Sequence, residues 1–323
     1  MEFTKIEDNP PLDSVSSLHF TQKPENLLTA TSWDNFVRIW SIDKDKAKFI
    51  GKQEFSSAPL CSSWSYDSKA LFIGGTDNQA YLWNLEKESI ESFGEHSQPI
   101  KEIFSFPENQ NLILTGSWDK TIKFWDLRQG QNPINTTFLE GKVFSMDMRF
   151  PYLVVVDSTK GIYAFDLGSG YNCVQRTRSS FKQARVISLF PDLKGYAFGS
   201  IDGRVSITYL KEEEKDNNFS FRCHWKENEI FAVNDIAFHP KYGTFATVGS
   251  DGLFYFWCKE TKSKLKKSIP FENSITRCSF NHDGSIFSFA VGYDWHKGFI
   301  GSTAKKERSL CLYLPKEKEI QAK

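Results

Sequence analysis

Short apolar runs separated by polar turns recur along the chain. Between residues 97 and 140 the runs are "IKEIFSF" (100–106), "NLILTGS" (111–117), "TIKFWDL" (121–127) and "INTTFLE" (134–140). Runs of this length, rich in β-branched and aromatic residues and bounded by turns, are typical of β-strands. Because they carry apolar residues on both faces, we expect neighbouring layers on both sides. This segment therefore predicts a four-stranded sheet, ordered from an inner to an outer strand.

The same arrangement recurs along the rest of the sequence. A turn aspartate is followed six positions later by tryptophan at Asp34 and Trp40, Asp77 and Trp83, Asp119 and Trp125, and Asp251 and Trp257. Further copies place Thr159, Asp202 and Asp294 at the aspartate position, so the successive intervals are 43, 42, 40, 43, 49 and 43 residues. A period near 43 that is built from short strands indicates the blades of a β-propeller.

Seven such units fill the chain, which predicts an all-β, seven-bladed β-propeller. We expect a single domain over residues 1–323, with blades beginning near residues 12, 57, 97, 141, 183, 231 and 272. The last unit lacks an outer strand, while "FTKIE" (3–7) precedes the first blade and has no blade of its own. We therefore predict that residues 3–7 close the ring and remove the exposed edge.

The repeated polar residues have a structural explanation. In the third unit His96, Ser117, Asp119 and Trp125 form what we interpret as the one complete set. Their partial versions recur in other blades, which suits packing and does not suit a single serine-type active site. The residues that we assign this blade-building role also include Asp34, Trp40, Asp77, Trp83, Asp202, Asp251 and Trp257.

Composition and motifs exclude several classes of function. Lys and Arg number 40 and Asp and Glu also number 40, which argues against a dedicated duplex-DNA binder. No membrane-spanning run or signal peptide is found, and the six scattered cysteines are expected to be reduced thiols. Phosphate-loop, dinucleotide and catalytic motifs are absent, as are metal-ligand spacings, and Cys223-His224 is interpreted as an outer-strand feature. We expect no enzyme activity, cofactor, metal or small-molecule substrate.

Four tryptophans do not occupy the repeated position six residues after the turn aspartate, and they predict a binding surface. Trp33, Trp118 and Trp295 flank the turn aspartate of their blades, and Trp225 lies in the loop that enters blade 6. All four are expected on one rim, together with Arg204 on the equivalent turn of blade 5, and with Asp294 and Lys297. Tryptophan and arginine are enriched at interface hot spots. This rim is the predicted site for a partner peptide.

Lysines suggest a second, basic surface. We assign a phosphate-binding patch to loops that contain Lys259, Lys262, Lys264, Lys266, Lys267, Lys305 and Lys306, acting with Lys297. Cations beside aromatic rings suit single-stranded RNA, whose bases stack. The alternative is that these segments are ordinary solvated loops.

At this point the sequence resembles a known family. The segments "GSIDGRVSITYL" (199–210), "FSFRCH" (219–224), "VNDIAFHPKYGTFATVGSDGLFYFW" (233–257) and "FNHDGSIFSFAVGYDWHKG" (280–298) resemble the WD-repeat mRNA-export factors of the nuclear pore, the Rae/Gle type. The resemblance covers essentially the whole chain. A related propeller, the spindle-checkpoint adaptor, shares the first three segments, and "YDWHKG" favours the export type.

The resemblance implies a non-enzymatic scaffold of the nuclear pore. Its partner would be the glutamate-bearing GLEBS segment of an FG nucleoporin, with Arg204 facing the glutamates, and single-stranded RNA is a second possible partner. The protein would act in mRNA export and shuttle between nucleus and cytoplasm, with no membrane partner. The alternative is a checkpoint adaptor that binds the equivalent segment of a kinase. Asp202 stands where the family commonly has Glu, and Trp225 stands where a basic residue is usual.

Overall fold

The protein is all-β in architecture. The structure, a computed structural model, describes residues 2–302 and 307–321. These residues form seven four-stranded antiparallel sheets and one two-stranded hairpin, Trp225–Lys226 with Glu229–Ile230. The innermost strands contact one another in cyclic order, and that of the last sheet contacts that of the first. The fold is a seven-bladed β-propeller, so the predicted fold class is confirmed.

Each sheet forms one blade, and its strands run in chain order from the centre outwards. Blade 1 contains Val15–Phe20, Leu27–Ser32, Phe36–Asp43 and Lys46–Glu54. Blade 2 contains Pro59–Trp64, Ala70–Gly75, Gln79–Asn84 and Ser89–Glu95. Blade 3 contains Ile100–Ser105, Leu112–Ser117, Thr121–Asp126 and Asn135–Phe138. Blade 4 contains Val143–Arg149, Tyr152–Asp157, Gly161–Asp166 and Asn172–Arg178.

The remaining blades follow the same order except at the end of the ring. Blade 5 contains Ala184–Leu189, Gly195–Ser200, Arg204–Tyr209 and Phe219–Arg222, with the 3-10 helix Glu212–Asn217 before its last strand. Blade 6 contains Val233–Phe238, Phe245–Gly249, Phe254–Cys258 and Ser263–Lys267. Blade 7 contains Ile275–Phe280, Phe287–Val291 and Ser309–Tyr313. The short helices Gly298–Ser302 and Glu317–Ile320 complete the described part of the chain.

The outer strand of blade 7 comes from the beginning of the chain. Thr4 pairs with Leu312 and Lys5 with Cys311 in an antiparallel register, and the Ile6 amide donates to the Leu310 carbonyl at 2.8 Å. Ile6 is buried between blades 7 and 1. The N-terminal strand therefore closes the ring and covers an edge that would otherwise be open.

Burial follows the position of a strand within its blade. The second strands are almost wholly buried, as in Leu112–Ser117, because neighbouring blades cover both faces. The outer strand Lys46–Glu54 alternates between exposed and half-buried residues, because only one of its faces is covered. This gradient explains why the inner strands have an apolar sequence and the outer strands a mixed one.

All seven innermost strands carry a register shift at their second residue. In blades 3 and 5 the shifts fall between Ile100 and Glu102 and between Ala184 and Val186, so Lys101 and Arg185 are the extra residues. A bulge re-aims a side chain and is common beside binding sites. Both cations line cavities near the propeller axis as a result.

Candidate peptide-binding face

We define the upper face as the end of the propeller where the second strand of each blade turns into the third. The polar residues of these turns hold the blades together. In blade 3 the His96 ring lies 2.8 Å from an Asp119 oxygen and 2.7 Å from Thr115 Oγ1, to which Trp125 Nε1 donates at 2.8 Å. Burial alone would raise the pKa of Asp119, but hydrogen bonds from His96 and Thr121 outweigh it and lower that pKa.

A second complete network lies in blade 6, so the expectation of a single one is wrong. His224 is within 2.8 Å of Asp251 and 3.1 Å of Thr247 Oγ1, to which Trp257 Nε1 donates at 2.9 Å. His224 is therefore a blade-building residue and not an outer-strand feature. In both blades the hydroxyl that joins histidine to tryptophan is a threonine on the second strand. Ser117 instead donates to the Gln98 carbonyl at 2.9 Å.

Other blades use different partners for the turn carboxylate. In blade 1 Arg38 pairs with Asp34 at 2.8 Å, and in blade 2 the Tyr81 hydroxyl donates to Asp77 at 3.0 Å. In blade 4 the carboxylate comes from Asp157, which accepts from the Tyr163 hydroxyl and from three backbone amides. We had expected Thr159 at the aspartate position of blade 4. The turn carboxylate is instead that of Asp157, two residues earlier.

Three of the four rim tryptophans lie together. Trp33, Trp118 and Trp295 line one cavity of about 470 Å³ at the upper end of the propeller axis. Trp33 is 46% exposed and Trp295 is 56% exposed. Lys101, Arg185 and Arg277 line the same cavity. The upper face therefore presents large aromatic surfaces above three cations, which suits a partner with apolar and acidic side chains.

Arg204 and Trp225 form a separate cluster on the upper end of blade 5. They do not line the cavity of the three tryptophans. The Trp225 indole donates to the Asp202 carbonyl at 3.1 Å, and the ring lies over the turn glycine. Gly203 has φ +65°, and a Cβ there would lie 2.7 Å from the Trp225 ring. Glycine is therefore required on two grounds, backbone conformation and space.

The guanidinium of Arg204 makes one long ion-pair contact and no hydrogen bond to a carboxylate. Its Nε lies 3.8 Å from Asp202 and is buried without a hydrogen bond, and its Cζ lies 5.8 Å from the Phe181 ring. Arg222 lies directly opposite in the strand register, and its Cζ lies 4.2 Å from the Trp225 ring. Two cations that face each other across a strand pair are mutually repulsive. An acidic ligand would relieve that repulsion.

The other two residues assigned to the peptide site differ in exposure. The Asp294 side chain is buried and accepts hydrogen bonds from Ser250 and from Asn234, the latter at 3.0 Å. Burial alone would raise the pKa of Asp294, but bonds from Ser250, Asn234 and His296 outweigh it and lower that pKa to about 2. Asp294 therefore positions the Trp295 turn from within. Lys297 is exposed on the same turn.

The lysines assigned to RNA do not form one patch with Lys297. Lys259 is 5% exposed, and its ammonium lies 3.5 Å from Asp192 and 4.9 Å from the Phe190 ring, so it joins blades 5 and 6. The segment expected to be a loop contains the outer strand of blade 6, Ser263–Lys267, and the turn that precedes this strand lies at the lower end of the blade. Lys305 and Lys306 lie outside the described residues.

Two of these lysines lie beside aromatic rings. The Lys262 ammonium is 4.9 Å from the Phe219 ring, and that of Lys264 is 5.7 Å from the Tyr255 ring. Lys266 pairs with Glu319. Lys267, the last residue of the outer strand, is exposed. The basic residues thus follow the edge of blades 5 and 6 instead of the upper face.

Sequence reasoning missed Lys101, Arg185 and Arg222. Lys101 and Arg185 stand in the inner strands "IKEIFS" and "ARVISL", and a cation in a mostly apolar strand is the signal that could have identified them. Lys101 pairs with the neighbouring Glu102 at 2.7 Å. Arg222 became visible only through its register with Arg204. Within residues 2–302 and 307–321, no group of three or more metal-binding side chains is placed to hold an ion. No helix in those ranges is long and apolar enough to cross a membrane.

Comparison with known proteins identifies the family. The WD domain, G-beta repeat, matches residues 9–41, 87–126 and 216–258. The protein Rae1 of Drosophila melanogaster is 40% identical over 304 residues, which cover 90% of this chain and 88% of the relative. The protein RAE1 of Arabidopsis thaliana is 41% identical over 319 residues, 97% of this chain and 91% of the relative. The poly(A)+ RNA export protein of Schizosaccharomyces pombe is 35% identical over 322 residues, 97% and 90% of the two chains. The chain therefore belongs to the Rae1/Gle2 family of WD-repeat propellers.

Proposed function

We propose that the protein is a non-enzymatic scaffold in mRNA export, which binds a glutamate-bearing, GLEBS-type segment of an FG nucleoporin on its upper face. Relatives named poly(A)+ RNA export protein and mRNA export factor support the export role and a nucleocytoplasmic site of action. They also favour export over the alternative of a checkpoint adaptor. Residence at the nuclear pore follows from the proposed partner.

The observation that carries the proposal is the unsatisfied Arg204. Its Nε is buried without a hydrogen bond, and the carboxylate of Asp202 is 3.8 Å away. The planar guanidinium binds a carboxylate through two parallel hydrogen bonds, so a glutamate of the partner would complete this geometry. Arg222 adds a second positive charge, and the cavity of the three tryptophans accepts apolar side chains next to the acidic ones.

The test is calorimetric titration of a GLEBS-type nucleoporin peptide into the protein and its variants. We expect Arg204→Ala to weaken binding about a hundredfold or more, because removing one partner of a desolvated charge pair costs about 3–5 kcal/mol. The matched control is Arg128→Ala, which removes an exposed arginine that pairs with Asp126 at the lower end of blade 3. Equal affinities for both variants and the wild type would show that Arg204 does not carry the interaction.

A second activity, binding of single-stranded RNA, is favoured by the lysines that lie over aromatic rings on blades 5 and 6. Lys262 and Lys264 provide phosphate contacts, and Phe219 lies next to Phe221, whose ring is 4.8 Å from that of Trp257. Bases stack on such rings, while the cations hold the backbone.

The RNA hypothesis predicts a salt dependence that depends on these lysines. For a polyuridine oligonucleotide, we expect the double variant Lys262→Ala, Lys264→Ala to bind more weakly. The slope of log affinity against log salt should fall by roughly 1.4, because each single-strand phosphate contact contributes about 0.7. Lys297→Ala, on the upper face, should leave the slope unchanged. Affinity that does not depend on salt in the wild type would contradict this hypothesis.

A further inference from the structure

The lower end of the propeller axis holds a second cavity, larger than the one on the upper face. Its volume is about 560 Å³. Six blades each contribute one aromatic side chain to its lining, namely Phe20, Trp64, Phe104, Phe150, Phe238 and Phe280. Between these rings the lining is polar, with serine, threonine, glutamine, asparagine and histidine side chains. Cavities of this size that combine aromatic and polar lining residues are typical of ligand sites. We call it the lower cavity.

One arginine contributes to the lining of the lower cavity. Arg149 is the last residue of the innermost strand of blade 4, and it lines both this cavity and the central cavity of about 190 Å³. Among the described residues that line the lower cavity, Arg149 is the only lysine or arginine. A ligand that enters from the lower face therefore meets aromatic and polar side chains, the carboxylate of Asp147 and a single guanidinium.

Arg149 lacks the partners that other inward arginines have. Its Nε is buried without a hydrogen bond, and no ion pair joins it to any described residue. Asp147 on the same strand is engaged elsewhere, since it accepts from the Leu189 amide at 2.7 Å and the Ser188 hydroxyl at 3.1 Å. By contrast, Arg38 pairs with Asp34, and Arg277 donates to the Ser16 carbonyl at 2.6 Å.

A partly buried cation without a partner is costly for a folded protein. Residues that destabilise the fold in this way are characteristic of functional sites, where a ligand supplies the missing interaction. The missing group here is an anion in a cavity that is lined by aromatic and polar side chains. A nucleic acid does not fit this pattern, because successive phosphates would need further cations along the walls.

We propose that the lower cavity is a second peptide-binding site, which takes a segment with an aspartate or glutamate flanked by apolar residues. The carboxylate pairs with the Arg149 guanidinium in a bidentate hydrogen bond, and the apolar neighbours pack on the aromatic walls. The site lies on the face opposite to Arg204 and does not depend on the nucleoporin interaction. The propeller can therefore join two peptide-bearing partners at once.

The experiment uses the blocked tetrapeptide acetyl-Phe-Glu-Leu-Phe-amide and its glutamine analogue. Binding is followed by NMR at the indole N–H of Trp64, which donates to the His19 carbonyl at 3.3 Å in the cavity wall. We expect the glutamate peptide to shift this resonance. The glutamine analogue, and Arg149→Gln with the glutamate peptide, should bind about tenfold more weakly or worse. Arg204→Ala should bind as the wild type does, and Arg149→Gln should retain binding of the nucleoporin peptide.

Thermal unfolding separates a ligand-binding role from a structural one. Arg149→Met removes the unpaired charge but retains an unbranched side chain, so we expect it to unfold at a higher temperature than the wild type while losing selectivity for glutamate. Equal binding of the two peptides, no Trp64 shift at millimolar peptide, or a lower unfolding temperature of Arg149→Met would each overturn the proposal. Weakening by Arg204→Ala would place the peptide on the upper face and would overturn it as well.

Discussion

Arg222 lies opposite Arg204 on the neighbouring strand. This pair of arginines lowers the stability of the fold but favours binding of an acidic peptide. Like charges at directly opposed strand positions destabilise a sheet by up to about 1 kcal/mol. We therefore expect Arg222→Ala to raise the free energy of unfolding slightly, and to weaken binding of the nucleoporin peptide about tenfold. Titration calorimetry and denaturant unfolding of the same samples measure both effects.

A double-mutant cycle distinguishes a shared ligand from independent contacts. If both arginines bind the same acidic group, the losses from Arg204→Ala and Arg222→Ala will not add. Strict additivity, or a fall in stability on Arg222→Ala, would show that Arg222 has a different role.

The sequence identified Arg204 because its turn could be compared with the equivalent turns of the other blades. The sequence could not identify Arg222, because the register of Phe219–Arg222 against Arg204–Tyr209 depends on the geometry of the long connection that contains the 3-10 helix Glu212–Asn217. The sequence analysis also placed Lys259 with the lysines of the predicted phosphate-binding patch. The charge of Lys259 is neutralised by Asp192 and Glu260, and Asp192 is 67 positions away in the sequence, so its burial could not be read locally.

At the scale of the element, the turn in blade 6 between Val233–Phe238 and Phe245–Gly249 is built around a histidine. His239 is 1% exposed, and its Nδ1 accepts from the amides of Lys241 and Tyr242, both at 3.2 Å. Burial lowers the pKa of His239 to about 4. A protonated ring could not accept these two hydrogen bonds, so the turn requires the neutral form.

This histidine predicts a pH dependence of stability. In the unfolded chain histidine takes up a proton near pH 6.5, whereas the folded chain does so only near pH 4. The contribution of His239 to the free energy of unfolding is therefore fully present above about pH 6.5. It falls as the pH drops towards 4, by up to roughly 1.4 kcal/mol per pH unit. We expect His239→Gln to be less stable at neutral pH and to lose less stability on acidification. Unfolding curves of both proteins from pH 4 to 7 provide the test, and parallel profiles would contradict it.

The hydrogen-bond networks within the blades could be predicted only in part from the sequence pattern. The histidine and aspartate of the network are 23 positions apart in blade 3 and 27 apart in blade 6. The hairpin of Trp225–Lys226 and Glu229–Ile230 follows His224 and accounts for the longer spacing, so the second network does not repeat the spacing of the first. In blade 4 the turn carboxylate belongs to Asp157, which still accepts hydrogen bonds from the turn but lies at a different position of the repeat.

At the scale of the whole molecule, the number of blades and the closing strand could be predicted, because both follow from the repeat and from counting strands. The division of the upper face into the cavity of the three tryptophans and the separate cluster of Arg204 and Trp225 could not be predicted. The repeat places the blades around the axis, but which rim side chains share a cavity depends on loops that differ between blades, such as the hairpin that contains Trp225.

The closing strand predicts strong destabilisation when it is removed. Phe3 packs 5.2 Å from Phe271, Ile6 is buried, and the Asp8 carbonyl accepts from the Trp40 indole at 2.8 Å. We expect deletion of residues 2–9 to cost several kcal/mol, on the order of 2–3 for burial of each large apolar side chain. The unfolding temperature should fall by ten degrees or more.

Adding back the missing segment provides the control. A synthetic peptide of residues 2–9 should bind the truncated protein and raise its unfolding temperature, because it restores the pairing of Thr4 with Leu312. A peptide with Ile6 replaced by Pro should fail, because it cannot donate to the Leu310 carbonyl. Equal unfolding temperatures of the truncated and the full-length protein would show that the ring does not depend on this strand.

The same pairing also constrains synthesis on the ribosome. Thr4 and Lys5 emerge some 300 residues before their partners in Ser309–Tyr313. Blades 1 to 6 can form as they emerge, but the closing strand stays unpaired until the last strand of blade 7 has been made. During that interval an unpaired, partly apolar strand is open to chaperones and to neighbouring nascent chains. The ring of blades therefore closes only after Ser309–Tyr313 has been made.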